Sequence, residues 1–432
     1  MKKYIAAIVI LFNATQAHAQ DVNKLIDQTD VDRIIKTLSA DDMQGRATFT
    51  PGIEKAAQFI EAEYKAAGLV PLTGNATFRQ NFTMTRMSQL KTLASIDGKV
   101  IGTDSVFTIS GAPAFSWTND GDVHIVQLSS EKNFQSEYRS YLSQSKKMLI
   151  LVDPTFTSIF KSLVQRAKRQ AIKEILDADQ QIVFVLGKYD NVKSFSVEFT
   201  AKAEQLPLFN IVGMIPGKSK KGEQVIFGGH YDHLGIIKPM QGDSIANGAD
   251  DDASGTTAVI SLAKYYKKIK NNERTLVFVA FTAEEIGEFG SAHFAKTVDP
   301  DKVVAMFNIE MIGKASKFGQ NSAFITGYER SDFGKILQSN LTGTEFKFYP
   351  DPYIKENLFY RSDNASLAVV GVPAHTISTD QIDIDKLYHT VKDEYSSLDV
   401  ANITSTIRAI ALSSRTIVSG KDTPTRIGKL EQ

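Results

Sequence analysis

The chain has 432 residues, 42% of them hydrophobic and 23% charged, which is enough for two or three ordinary domains with a substantial core. Basic and acidic residues balance at 49 each. Without Lys2 and Lys3 the count is 49 − 2 = 47 basic against 49 acidic, which argues against nucleic acid as the main partner because phosphate binding needs a basic surface. There is no cysteine, so disulfides and thiolate metal sites are excluded and any zinc must be held by His, Asp and Glu.

Residues 1–19 read as a secretory signal. Lys2 and Lys3 precede a short apolar run, Tyr4 to Phe12, and Ala17-His18-Ala19 is a small-x-small cleavage site. The run is too short to span a bilayer, and no cysteine follows it for a lipid anchor. The expectation is a periplasmic or secreted protein, cleaved near Ala19 and without a membrane anchor afterwards.

Val31, Ile34, Ile35 and Leu38 recur at helical spacing, and a second helix is expected over about 52–67, stopped by Gly68. Between 78 and 205 the strand candidates are Lys91 to Ile96, Val123 to Leu128, Lys147 to Val152 and Ile182 to Leu186, with a helix near 157–176. From about 206 strands and helices alternate. The strands are Asn210 to Met214, Gln224 to Phe227, Thr275 to Phe281, Val304 to Ile309, Ala323 to Thr326 and Ala374 to Ile377. The helices fall near 254–269, 289–296, 331–341, 363–370 and 400–418. That alternation predicts an α/β fold, a mostly parallel (mixed) sheet flanked by helices. The expected division is a main domain over 20–104 and 205–432 with a smaller inserted α+β domain at 105–204.

Ligands in open α/β sheets bind beyond the carboxyl ends of strands. Three predicted strands end in such a place: one in Gly228-Gly229-His230, one ahead of Glu284-Glu285, one at Glu310. Asp251 lies just before the 254–269 helix, and His389 lies in the loop after the 374–377 strand. Two imidazoles and three carboxylates, with one carboxylate to spare, are what two zinc ions and a general base need. Asp232 follows His230 by two residues, placed to put a carboxylate on the far nitrogen of that imidazole. Asp250, Asp251 and Asp252 repel one another unless a cation sits among them, although taken alone they read equally well as a solvated acidic turn with Asp252 or Ser254 as cap. The Glu284-Glu285 pair, taken alone, reads equally well as a polar loop. His124 and His293 have no partners at ligand spacing and read as structural, whereas His233 and His375 lie nearer the site in sequence.

The segments GGHYDHLG, NGADDDASG, FTAEEIGEFGS, NIEMIG and YHTVKD resemble the signature blocks of the M28 family of zinc metallopeptidases, the di-zinc aminopeptidases. LSADDMQGR, YKAAGLVPL and FNIVGMIPG extend the resemblance weakly, so that it covers roughly 30–100 and 205–410. It implies a phosphorylase/hydrolase-like exopeptidase domain and two zinc ions, with His230 and Glu310 on one, Glu285 and His389 on the other, and Asp251 bridging. It also implies Glu284 as general base, Tyr388 at the oxyanion and a cis peptide after Asp251. The chain departs from the family pattern at Glu310, where Asp is usual, and at Asn364, where many relatives have His; a weak substrate-pocket role attaches to Asn364. The insertion lies where some members carry a protease-associated domain, but AIKEILDADQ replaces the usual Gly-Ala segment. A lid or substrate-limiting role is the natural expectation for it.

The resulting expectation is a zinc exopeptidase that takes a peptide substrate at its N-terminus. A carboxypeptidase or dipeptidase remains open, with Arg361 as a candidate carboxylate-binding group, as does a non-catalytic receptor-like module on the same fold. A single-zinc glutaminyl cyclase fits less well because both ligand sets are complete. Nothing in the sequence sets an oligomeric state.

Overall fold

The computed structural model describes residues 22–119, 121–167 and 171–430, so the expected signal segment lies outside the described residues. Two compact units result: 22–81 with 208–430, and 82–207. The second unit thus begins well ahead of the expected residue 105. The reason is that the Arg79–Ile96 strand is one long element, carrying the chain out of the first unit as the Phe195–Ile215 strand carries it back.

The first unit is built on a mixed sheet. The strands Ala374–Ser378, Val303–Ile309, Lys220–His230 and Arg274–Phe281 lie side by side and parallel. Ser322–Ile325 pairs antiparallel beyond Ala374–Ser378, with Lys347–Pro350 parallel outside it. At the other side Ile211–Ile215 runs antiparallel to Arg274–Phe281. Every residue of Arg274–Phe281 and of Val303–Ile309 is buried, as expected where helices cover both faces. Phe227, Phe278 and Phe307 sit abreast on three neighbouring strands, with ring centroids 5.4 and 4.8 Å apart from Phe227 outward. Helices Gln28–Leu38, Pro51–Ala67, Gly255–Ile269 and Val400–Ser413 contribute to the core on that face, and Phe294, Leu367 and Ala368 belong to the core on the other. Pro51 opens its helix and Gly68, at φ 79°, closes it in the left-handed conformation that glycine adopts without a Cβ penalty.

The second unit contains a four-stranded sheet in the order Val106–Ser110, Gln181–Leu186, Lys147–Val152, His124–Leu128. Helices Phe134–Leu142 and Thr157–Ala167 supply Phe134 and Phe160 to a core with Phe107 and Phe184, whose rings stack at 4.6 Å. It is an α+β unit, as expected. The helix near 157–176 ends earlier than its composition suggests. Ala171–Lys173 is a strand paired with Thr85–Met87, so long-range pairing overrides the local helix propensity.

Candidate metal centre

The register of the parallel strands brings the expected residues to one edge. His230 pairs with Phe281, so Glu284 and Glu285 emerge just beyond it, and Ile309 pairs with Ile377 one residue before Glu310. The Asp250-Asp251-Asp252 triplet bends into this edge, with a cis peptide between Asp251 and Asp252. The outer two acids pin the loop. Asp252 Oδ1 accepts from the amides of Gly255 and Met311, each at 3.0 Å, and Asp250 Oδ1 accepts from the amide of Gly313 at 2.7 Å. Asp393 accepts from the amides of Asp250 and Asp251 at 2.9 and 3.0 Å. Asp251 is left with its carboxylate facing the imidazoles. The triplet is therefore a buried anchor rather than a solvated turn.

Two donor groups flank Asp251. On one side His230 Nε2 lies 3.1 Å from Asp251 Oδ1, with Glu310 completing a cluster of potential ligands. On the other, His389 Nε2 lies 3.2 Å from Asp251 Oδ2 and 3.1 Å from Glu285 Oε2. His230 Nε2 and His389 Nε2 are buried at these spacings without an aligned hydrogen bond. Nitrogen and oxygen donors bound tetrahedrally to one zinc at about 2.0–2.1 Å lie roughly 3.3 Å apart. The observed spacings match that value, and the donors are turned toward shared points rather than toward one another. The residues fit a pair of cations.

The electrostatics agree. Burial pulls the His230 imidazole down, but the Glu284 and Asp251 carboxylates outweigh it and hold the group well above its ordinary range. Burial likewise opposes ionisation of Asp251, yet His230 and His389 hold it well below the usual carboxylate range. Burial, with Asp251 nearby, pushes Glu310 up to about 7 against the lowering effect of His230. Burial, with Glu310 and Asp363 nearby, holds Glu284 well above its usual value. So many acids crowded into a buried space lack a counter-charge that a cation would supply.

Several individual expectations are refined. His230 Nδ1 faces the backbone carbonyl of Asp232 at 3.0 Å, while the Asp232 carboxylate is 3.9 Å away. That carboxylate accepts instead from the amides of Glu284 and Glu285, at 3.1 and 3.4 Å, so it fixes the backbone that carries the expected base. Glu284 Oε2 lies 3.9 Å from His230 Nε2. Tyr388 stacks on His389 with centroids 3.8 Å apart, and burial together with the surrounding carboxylates raises its phenol. Glu310 is steadied by the Ser362 hydroxyl, which donates to it. Asn364 is not a pocket residue. It is buried, donates to Phe359 O at 2.9 Å and accepts from the Thr376 hydroxyl at 2.9 Å. His375 is a structural histidine, with Thr326 O and Ser331 Oγ on its two nitrogens.

Two residues in the site were not singled out by the sequence reading. Arg46 is fully buried and donates to four backbone carbonyls, those of Leu38, Tyr231, Asn247 and Gly248. It ties the loops after His230 and before Asp251 to the N-terminal segment. Lys314 places Nζ 3.1 Å from Asp250 and 2.7 Å from Asp385, an internal cation for a third acidic cluster that also holds Asp380. Arg46 sits in LSADDMQGR, whose family resemblance was the available signal. Lys314 had none.

An α/β fold carrying two imidazole–carboxylate donor groups at the strand ends is the architecture of a metal-dependent hydrolase centre. Residues 210–413 match the model of peptidase family M28. A leucine aminopeptidase 1 of Ajellomyces capsulatus (strain H88) is 30% identical over 206 residues, covering 44% of this chain and 51% of the relative. A leucine aminopeptidase 1 of Paracoccidioides brasiliensis (strain Pb03) is 27% identical over 296 residues, covering 64% and 72%. The matched stretch spans about half the length of several of the curated relatives it matches. The aminopeptidase from Aneurinibacillus sp. strain AM-1 has a similar fold, with a TM-score of 0.53 at 18% identity, over 95% of this chain and 97% of that one. A zinc aminopeptidase from Bacillus subtilis gives 0.54 at 16%, over 91% and 95%. Among the described residues no helix is long and apolar enough to cross a membrane.

Proposed function

We propose that this chain is a zinc-dependent aminopeptidase that removes residues from the free N-terminus of peptides outside the cytoplasm, with two ions held by His230, Asp251, Glu285, Glu310 and His389. The observation that carries the reading is the pair of donor groups sharing Asp251, with Glu284 poised beside one of them. Zinc bound there would supply a Lewis acid for the scissile carbonyl and acidify a water. The chain's own groups do the rest. Glu284 takes the proton of the attacking water at its carboxylate and passes it to the leaving amine. The Tyr388 hydroxyl donates toward the oxyanion as charge develops there. Asp232 keeps Glu284 in place through the Glu284 amide. The named leucine aminopeptidases support the same reading, and the 1–19 segment supports export.

A second reading within the same chemistry has one observation in its favour. Arg361 lines the pocket beside Glu310, Met311 and Tyr388, where it could receive a substrate carboxylate. A panel of peptides with free and blocked N-termini separates the two. Zinc-loaded protein is expected to cleave free but not blocked N-termini, and Glu284→Gln is expected to keep its zinc and lose turnover. Cleavage of blocked peptides would favour the carboxylate-recognising exopeptidase. No cleavage of any peptide by the zinc-loaded protein would overturn both and leave a binding module.

A further inference from the structure

Beside the centre lies a pocket that shares Glu310 and Tyr388 with it. Phe324, Leu358 and Ile382 give it apolar walls, and Asp380 and Arg361 are its charged groups besides Glu310. Asp380 is 6% exposed, whereas the Arg361 side chain is 47% exposed and lies 3.8 Å from Glu356. The acid is therefore enclosed, and the guanidinium lies at the rim with a counter-charge of its own. The Thr379 amide donates to Met311 O at 3.0 Å, which stitches the chain at Asp380 to the residue after Glu310. Asp250 and Asp385 cluster with Asp380. Lys314 Nζ serves Asp250 at 3.1 Å and Asp385 at 2.7 Å, so among the described residues Asp380 is the member of the cluster without an ion pair. Asp380 Oδ1 has no hydrogen-bond partner, and the side chain beside Asp380 is Asp385, another acid, which relieves the contact only by sharing a proton. Burial, with Asp250 and Asp385 nearby, pushes the Asp380 carboxyl up to about 8 against the lowering effect of Lys314.

A buried carboxylate short of a counter-charge, in an otherwise apolar pocket, is costly until a cation meets it. We propose that this pocket takes the side chain of the substrate's first residue and that Asp380 selects a cationic one, lysine or arginine. The methylenes of such a side chain lie along Phe324, Leu358 and Ile382, and its charged end meets Asp380. A neutral aliphatic side chain of the same length covers the same walls but leaves Asp380 unpaired, and an acidic one adds a further carboxylate to a cluster that already has too many. This inference names a substrate class for the aminopeptidase reading above and rests on it.

The first test depends on no variant folding. The zinc-loaded full chain is assayed on peptides that differ only in the first residue: lysine, norleucine (lysine without its ammonium) and glutamate. The lysyl peptide is expected to exceed the norleucyl peptide in kcat/KM by about 10- to 100-fold, the worth of a hydrogen bond to a charged group, with the glutamyl peptide the poorest. Asp380→Asn, folded and with wild-type zinc content, is expected to abolish the preference for lysine over norleucine. A norleucyl peptide cleaved as well as the lysyl one, or a folded Asp380→Asn that keeps the wild-type ratio, overturns the inference and leaves the aminopeptidase reading standing. A preference for glutamate overturns it too and makes Arg361 the group that reads the side chain. No cleavage of any peptide with a free N-terminus overturns the aminopeptidase reading and this inference with it.

Discussion

Replacing Arg46 by Met removes a buried cation that has no single carboxylate partner but holds four carbonyls, at 2.6–2.9 Å. Of these, Gly248 O also accepts from the Ala253 amide and so keeps one partner. A hydrogen bond to a charged group contributes roughly 1.5–3 kcal/mol, so the gross loss over four bonds is large. It is offset by relief of the burial that pulls the guanidinium down, and by the methionine side chain filling much of the space. A net destabilisation of about 3–5 kcal/mol follows, the range seen when one member of a buried charged network is removed. Arg46→Lys keeps the charge and at most three donors, so it should fall between wild type and Arg46→Met. Urea unfolding of the three proteins, each zinc-loaded and stripped, measures the difference. The loops that Arg46 ties carry His230 and Asp251, so the variant should also bind zinc more weakly. An Arg46→Met variant within about 0.5 kcal/mol of wild type would refute the reasoning, because that is the behaviour of a surface substitution.

Further outcomes are expected at the site. Glu284→Gln should retain two zinc ions while kcat falls by about 10²–10⁴, read from metal content and steady-state kinetics together. Tyr388→Phe should lower kcat by about 10²-fold with little change in KM, since its hydroxyl acts as charge develops. Gly248→Ala puts a Cβ 2.2 Å from Asp251 O and into the His233 ring, so it should cost both stability and zinc affinity, measured by unfolding and chelator competition. In the metal-free protein, burial and then Asp250 push Asp380 up to about 8 and Asp393 up to about 7. A carboxyl with a raised folded pKa stabilises fully below its unfolded value and loses that contribution as pH rises through the folded one. His375, held down to about 4 by burial, contributes fully above about 6.5 and does not oppose this trend. The urea midpoint of stripped protein should therefore fall from pH 6.5 to pH 8, and a rising midpoint over that window would contradict these assignments.

The sequence made the first unit's sheet legible because its parallel strands are continuous apolar runs ending in chemically loaded turns. His230, Glu284, Glu285 and Glu310 could be placed at one edge from strand ends alone. Asp251 and His389 are placed by loops, and the resemblance supplied what periodicity could not. The two long strands were cut short because residues such as Arg86, Gln89 and Lys202 give no apolar run to follow. The hairpin Gly235–Met240 and Asp243–Ala246 went unread because it turns on Gln241-Gly242, both at positive φ, rather than on an Asn-Gly or Asp-Gly pair. Arg46 and Lys314 were obscure for another reason. Their importance lies in what they touch across the fold, and a lone arginine or lysine carries no spacing of its own. Asp232 was expected to set its carboxylate against His230, but its backbone carbonyl faces the imidazole instead, a choice made by backbone geometry that composition does not encode.

The most direct test of the central claim is to strip the protein of metal, add zinc stepwise and follow hydrolysis of a panel of peptides with free N-termini alongside bound zinc. Activity that is absent without metal and reaches its plateau at two zinc ions per chain is the expected result. Full activity without metal, or a plateau at one ion, would contradict a centre in which His230, Asp251, Glu285, Glu310 and His389 together hold a catalytic pair.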